Sequence, residues 1–392
     1  MKLLHTSDWH LGQNFMTKSR QDEHLAFLEW LVEFIDEQKI DLLVVAGDIF
    51  DTATPPNYAL ESYFNFLTKV SKSSTCRNVV IVGGNHDSVA TLKSSKQLLK
   101  YLHVEVVTGS EEEDELIPIY DDKDNLVLIV CAVPFLRDAI VRKSVSGETL
   151  KEKEKNLAEG IKKHYEDIYK RASSLKGDKE IPIIATGHLT TVGATTSESE
   201  REIYIGGALN INSKFLASMF DYTALGHLHV NQKVGENVWY SGSPIPLSFS
   251  EVLPKMVNVV DFDKTKCSVM QVEVPLYREL KVVKGNLQKI LEQLSSIEDK
   301  NVWIEVHLDD ENKFLENDII YKKAQELGLD ILALKVKTKN ISLSTDDFNV
   351  VSLEELTPFE VFQKRLQKDG LEDLLLKEKL IINFKQILDE VN

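Results

Sequence analysis

From Lys2 to about Val274 short apolar runs alternate with longer stretches of helical periodicity, and several runs are apolar throughout rather than at every second position. Leu42 to Ala46, Val79 to Val82, Leu126 to Val133 and Ile181 to Ala185 are of this kind. Strands of that composition are buried on both faces, which predicts a layered α/β architecture. Between the first two strands Leu25, Leu28, Leu31, Phe34 and Ile35 fall on one helical face. Leu60, Tyr63, Phe64, Leu67 and Val70 form a second stripe. Its plain reading is core packing. The sharper expectation is a homodimer made through the helices that follow Asp48 and His86.

The pattern changes near Pro275. Tyr277 to Val283, Asn286 to Ser296, Asn301 to Leu308, Glu316 to Leu327 and Asp330 to Lys337 read as strand, helix, strand, helix, strand. Val302, Ile304, Val306 and Leu308 alternate with more polar residues, the period of a half-buried strand. The last strand is expected to bury Leu332, Leu334 and Val336 and to turn Lys335, Lys337 and Lys339 outward. Such a lysine row blunts an exposed edge, with phosphate contact as the second reading. A polar linker then leads to a helical tail. Thr357, Pro358 and Glu360 fit a capping box with proline at the first helical position, and Gly370 fits the stop. Leu374, Ile381, Phe384, Leu388 and Val391 make a heptad-like seam that needs a cover, on this chain or another. The expected division is 1–274, 275–339 and 340–392.

No apolar run approaches the roughly 20 residues that cross a bilayer, and the N-terminus enters a strand without a leader, so a cytoplasmic, non-membrane protein is expected. Cys76, Cys131 and Cys267 lie far apart with no CxxC pair, which predicts reduced thiols. The formal charge of -16 opposes nucleic-acid binding when taken alone. Part of it is local, in Glu111 to Glu115 and in Asp121, Asp122 and Asp124, a solvated loop or hairpin. Bound cations and a partner subunit are the sources from which a positive field would come.

Chemistry concentrates after the apolar runs. Asp8 and His10 end the first strand, where alternation would aim both side chains the same way. Asp48 follows Gly47; Asn85, His86 and Asp87 follow Gly83-Gly84; His188 follows Gly187; and His227 and His229 follow Gly226. Any one histidine here reads equally well as a hydrogen-bonded core residue. Together, five polar motifs behind five apolar strands predict one cluster at the carboxyl edge of one sheet, where α/β folds bind ligands. A shared carboxylate with imidazole and amide donors suits two cations about 3.5–4 Å apart, a pair that activates water and clamps phosphate oxygens. Nitrogen and oxygen donors without thiolate fit manganese or iron, with zinc a further option.

The order Asp-x-His, Gly-Asp, Gly-Asn-His-Asp, Gly-His, Gly-His-x-His resembles that of the calcineurin-like metallophosphoesterase superfamily, a layered β-sandwich flanked by helices. Within it the chain is similar to the double-strand-break repair nucleases. The supporting stretches are His5 to Gly12, Gly47 to Asp51, Ser197 to Arg201 followed by Gly206-Gly207, Leu225 to His229, Tyr240 to Pro244 and Ser248 to Glu251. The motifs cover about the first 251 residues; the small α/β capping domain and helical tail match in layout only. The resemblance implies that Asp8, His10 and His229 hold one ion, that Asn85, His188 and His227 hold the second, and that Asp48 bridges them. It makes His86 a catalytic histidine that contacts the phosphate without binding metal, with Asp87 orienting it. Asp51 stands where some relatives carry a second histidine. The implied activity is manganese-dependent cleavage of DNA, as a double-strand exonuclease and a single-strand or hairpin endonuclease. The implied partners are DNA and an SMC-family ATPase that accepts the tail. No GxxxxGK[ST] motif occurs, so ATP is expected on that partner. The alternatives are a phosphatase or small-substrate phosphodiesterase on the same metals, and a non-catalytic DNA-tethering subunit.

Overall fold

A computed structural model describes residues 1–109, 114–141, 149–197, 199–200, 211–251, 254–309, 315–336 and 384. Two six-stranded sheets organise it. In the first, Lys2–Thr6 runs parallel to Leu42–Ala46, and Asn78–Val82 and Val104–Val107 continue in the same sense. Met256–Asp263 and Lys266–Glu273 close its other side with antiparallel pairing. The second sheet runs Gln232–Lys233, Val238–Tyr240, Tyr222–Gly226, Ile183–His188, Leu126–Cys131 and Leu116–Tyr120, with the middle strands parallel.

Leu3, Val44 and Val82 from the first sheet share a core with Leu128, Val130 and Ile184 from the second. On the outer face of the first sheet lie Gln21–Gln38, Asn57–Val70 and Val89–Lys100, while Leu150–Lys176 and Ser213–Ala217 cover the second. Both faces of each central strand are therefore dry, which accounts for the unbroken apolar runs. Leu25 is an exception to the predicted stripe: it is exposed, and Phe27 packs inside with Leu28, Leu31, Phe34 and Ile35. On the next helix Tyr63, Phe66, Leu67 and Val70 join the core, while Leu60 and Phe64 are only partly covered. Asp121, Asp122 and Asp124 lie in the exposed turn of the hairpin between Leu116–Tyr120 and Leu126–Cys131.

The strand–helix–strand–helix–strand segment forms a parallel sheet with Val302–Leu308 central between Glu279–Gly285 and Asp330–Val336. Helices Leu287–Ser295 and Leu315–Leu327 cover the face made by Val302, Ile304, Val306 and Leu308. The last strand departs from simple alternation. Its register slips at Ile304/Glu305, so that Ile331 pairs with Ile304 but Ala333 with Glu305. One extra residue reverses the facing of everything before it. Ile331, not the expected Leu332, therefore packs on the core with Leu334 and Val336. Lys335 points outward and binds Glu305 at 2.8 Å.

On the uncovered face of the small sheet, Trp303 stacks on Phe15 at 5.8 Å, flanked by the guanidinium groups of Arg20 and Arg278. The chain divides into two compact units, Met1–Lys337 and Thr338–Asn392. The expected capping box, most of the tail seam, Lys337, Lys339, Glu111 to Glu113, Arg201 and Gly206-Gly207 lie outside the described residues.

Candidate metal centre

The first strand ends at Thr6, before the residues it was expected to carry. Asp8 and His10 are placed by left-handed backbone instead, with φ of 53° and 47°, and Asp48 and His227 share that conformation at 50° and 97°. Such backbone costs about 1–3 kcal/mol per residue and persists only where surrounding contacts impose it. Here the two loops are tied together: the Asp8 N–H donates to Gly47 O and the His10 N–H to Asp48 O, both at 3.0 Å.

The cluster also draws on two sheets, not on one edge of one sheet. Asp8, His10, Asp48 and Asn85 follow strands of the first, and His188, His227 and His229 come from adjacent strands of the second, where Gly226 pairs with His188. Close approach of the two rims explains Gly47 and Gly226, and close approach of neighbouring loops within the first sheet explains Gly84. A Cβ on Gly226 would lie 1.9 Å from Ala46 O, and one on Gly84 would lie 2.2 Å from Asp48 Oδ1. No side chain fits there, so the donors meet only because their neighbours have none.

Asp8, His10 and His229 each bring a donor atom to within 4.8 Å of the others, and so do Asp8, Asp48 and His188. Asp48 Oδ2 is 3.2 Å from His188 Nε2 and 3.7 Å from His10 Nε2. His188 donates from Nδ1 to Ala46 O at 3.0 Å, and its Nε2 faces Asn85 Oδ1 at 2.9 Å. Both ring nitrogens of His10 are buried and neither makes a contact of hydrogen-bond geometry, the nearest acceptor to Nδ1 being the Asp51 carboxylate at 3.3 Å. Convergent acceptors and a buried imidazole nitrogen, His10 Nε2, without a hydrogen bond are what a divalent cation satisfies, so the donor set fits metal. His227 is buried, its N–H donates to Asp8 Oδ1 at 2.9 Å, and its ring lies 5.4 Å from that of His188.

Charges in the cluster respond to each other. Burial would raise Asp48, but His188 and His10 outweigh it and hold the carboxyl far below its usual range. Burial would lower His188, yet Asp48 and Asp8 lift it to about 9. His227, buried beside His188, is pushed down to about 3. Burial also pushes Asp8 up.

His86 is half-buried. It donates from Nδ1 to Asp51 O at 2.7 Å, which leaves Nε2 as its second site, and its N–H donates to Asp48 Oδ1 at 2.9 Å. A ring nitrogen of His86 also lies within 4.8 Å of donors on His10 and Asp48. The Asp87 carboxylate is engaged differently from the expectation that it orients His86. Oδ2 accepts from Gly84 N (2.8 Å) and Ile49 N (3.1 Å), and Oδ1 accepts from Phe50 N (3.0 Å). It clamps the Asn85 loop to the Asp48 loop. The contact on His86 Nδ1 is the Asp51 carbonyl, while the Asp51 carboxylate lies 3.3 Å from His10 Nδ1.

Several residues around the donors were not singled out by chemistry in the sequence. Ser7 Oγ donates to Asp8 Oδ2 at 2.5 Å and meets Ser241 Oγ at 2.7 Å. Ser199 and Glu251 lie behind His229; Glu251 would be raised by burial, but hydrogen bonding toward His229 and the Lys255 ammonium hold it down to about 2. The sequence signal of Ser7, Ser199, Ser241 and Glu251 was membership in the stretches His5 to Gly12, Ser197 to Arg201, Tyr240 to Pro244 and Ser248 to Glu251 that carry the family resemblance.

Residues 1–231 match the family described as calcineurin-like phosphoesterase, and residues 276–369 match one described as type 5 capsule protein repressor C-terminal domain. The chain is 39% identical over 388 residues to the SbcD nuclease subunit of SbcCD from Escherichia coli strain K12, covering 95% of this chain and 94% of that one. It is 30% identical over 319 residues to the SbcCD nuclease subunit of the same name from Bacillus subtilis, covering 79% of each. With the ordered motifs converging on one donor cluster, these matches mean that the chain belongs to the calcineurin-like phosphoesterase family and, within it, to the SbcD nuclease-subunit group.

Proposed function

We propose that the protein is the nuclease subunit of an SbcCD-type assembly, hydrolysing DNA phosphodiester bonds with two divalent ions, manganese first among them. It would act as a double-strand exonuclease and a single-strand or hairpin endonuclease on DNA ends, in repair, recombination and replication, in the cytoplasm. The observation that carries this reading is the convergence of Asp8, His10, Asp48, Asn85, His188, His227 and His229 from two sheet rims, with Asp48 Oδ2 facing imidazoles of both sets.

Asp8, His10 and His229 would hold one ion, Asn85, His188 and His227 the other, and Asp48 would bridge. When bound, the ions supply a water-derived nucleophile and neutralise the phosphate oxygens. The protein's own groups do the rest. Because Asp51 O only accepts, His86 Nδ1 carries its proton there, and Nε2 is the atom that meets the phosphate and delivers a proton to the departing sugar oxygen. Asp87 supports this indirectly, by holding together the loops that carry Asn85, His86 and Asp48.

Partner readings follow the same group. An SbcC-like SMC-family ATPase would bind ATP and receive the 340–392 tail, and with the bound cations would offset the acidic charge toward DNA. A homodimer through Asn57–Val70 and Val89–Lys100 is supported by Leu98, 72% exposed, and Tyr101, 86% exposed, at the end of the second helix.

The test is a metal-dependence assay on blunt, hairpin and single-stranded DNA, with and without the ATPase, beside a chromogenic phosphodiester. Manganese-dependent cleavage of all three DNA forms is expected. Hydrolysis of the chromogenic ester alone would make the protein a small-substrate phosphodiesterase, and two bound ions without cleavage would make it a tether.

A further inference from the structure

Three serine-rich stretches, around Ser197 to Glu200, Tyr240 to Pro244 and Ser248 to Glu251, contribute no donor to the candidate centre, yet they meet behind His229. Ser199 Oγ lies 2.6 Å from His229 Nδ1 and donates to Glu251 Oε1 at 2.6 Å. Glu251 Oε2 is taken by Lys255 Nζ at 2.5 Å and by Ser243 Oγ at 3.3 Å. The side chain of Glu251 is 0% exposed and that of Lys255 4%. Lys255 also donates to His229 O at 2.9 Å, and Glu200 Oε1 accepts the His229 N–H at 2.8 Å, so the backbone is held from both sides.

We propose that Glu251, acting through Ser199, is a positioning residue that fixes the tautomer of His229 so that Nε2 is the nitrogen presented to a metal ion. Proton counting leads to this assignment. An ionised carboxylate only accepts, and a serine hydroxyl has one proton. With that proton committed to Glu251, Ser199 Oγ has only lone pairs for His229, so Nδ1 must carry the imidazole proton and Nε2 is left bare. His188 and His86 need no such device, because their Nδ1 atoms face the carbonyls of Ala46 and Asp51, which never donate. His229 instead faces a hydroxyl, which serves either tautomer until a fixed acceptor removes the ambiguity. A buried Lys–Glu pair is a poor choice for packing, since apolar residues of like volume are commonly as stable or more so. A demand for orientation explains its place here. Such outer partners are typically worth about 10- to 100-fold in metal affinity.

This role rests on the two-metal reading, and the experiment separates the two. In the full-length, metal-free protein, long-range proton–nitrogen spectra of labelled histidine should show His229 protonated at Nδ1. In Glu251→Gln, Lys255 retains the amide oxygen and the amide N–H groups face Ser199. The freed hydroxyl proton then has two acceptors, Nδ1 and Ser197 Oγ at 2.7 Å, so Ser197→Ala is combined with Glu251→Gln to leave Nδ1 alone, and the imidazole proton moves to Nε2. Calorimetric titration with Mn2+ should show one of two sites weakened about 10- to 100-fold and the other unchanged. Ser199→Ala should cost less, because Glu251 Oε1, 3.4 Å from Nδ1, takes the proton directly. A packing role predicts the reverse order, since Glu→Gln keeps the shape and Ser→Ala leaves a gap. An Nε2-protonated His229 in the wild type overturns the proposal, as does the Ser197→Ala, Glu251→Gln double variant with unchanged tautomer and affinity. A wild type that binds fewer than two Mn2+ overturns the two-metal reading, while the tautomer spectrum still decides the role of Glu251. Should Glu251→Gln fail to fold, the wild-type spectrum alone decides.

Discussion

Replacing Asp87 separates a catalytic orienting role from a structural clamp. In Asp87→Ala three buried N–H groups, on Gly84, Ile49 and Phe50, lose their acceptor. Each orphaned donor costs about 1–3 kcal/mol, roughly 3–9 in all. Removing a carboxyl whose burial and proximity to Asp48 push it up to about 6 offsets part of that. A net loss of about 3–5 kcal/mol remains, a large share of the ~5–15 kcal/mol of a typical domain. Asp87→Asn has one oxygen to give. Placed at Oδ2, it keeps Gly84 and Ile49 but turns an N–H against Phe50, for a loss of about 1–3 kcal/mol. Urea unfolding followed by circular dichroism should therefore rank wild type above Asn and Asn above Ala, with metal content falling in the same order as the two loops part. If both variants keep the wild-type urea midpoint and full metal content but lose turnover about 100-fold or more, the clamp is wrong and Asp87 serves the chemistry through His86.

His86→Ala should lower turnover about 100- to 10,000-fold while metal content and DNA affinity stay near wild type; loss of an ion would make His86 a ligand, as its proximity to His10 and Asp48 also permits. Asp48→Ala should release both metals, so two ions retained by elemental analysis would remove it as the bridge. Metal affinity should rise with pH. In the metal-free protein His188, which Asp48 lifts to about 9 against burial, is protonated at neutral pH, and coordination requires it neutral. Each proton released strengthens binding about tenfold per pH unit until the pH passes that value, and is lost as an effect above it. Calorimetry at pH 7 in buffers of different ionisation enthalpy should detect at least one proton released; none would contradict the charged His188.

The candidate donors were legible in the sequence because their signal is local: each apolar strand ends in a glycine or a polar motif, and chain order alone specifies the set. The α/β layers were legible for the same reason, since strands covered on both faces lack polar alternation. What the sequence could not specify is how the strands are shared. Three motifs emerge from one sheet and two from the other, and only stacking of Leu3, Val44 and Val82 on Leu128, Val130 and Ile184 brings the rims together. Nor did alternation foresee that Asp8 and His10 leave the strand and take left-handed backbone, because that conformation is imposed by bonds to Gly47 and Asp48, some forty residues away along the chain. The slip beside Leu332 likewise depends on a neighbouring strand, and one inserted residue reverses a facing that period-2 counting takes as continuous. Glu251 is the clearest case. Nothing near it in the chain marks it as a partner of His229, and only folding across 22 residues of chain places its carboxylate behind the Ser199 hydroxyl. Sequence determined which groups this protein brings to the candidate metal site; tertiary packing decided which atoms of those groups face inward, because tautomer, backbone handedness and register are properties of neighbours in space.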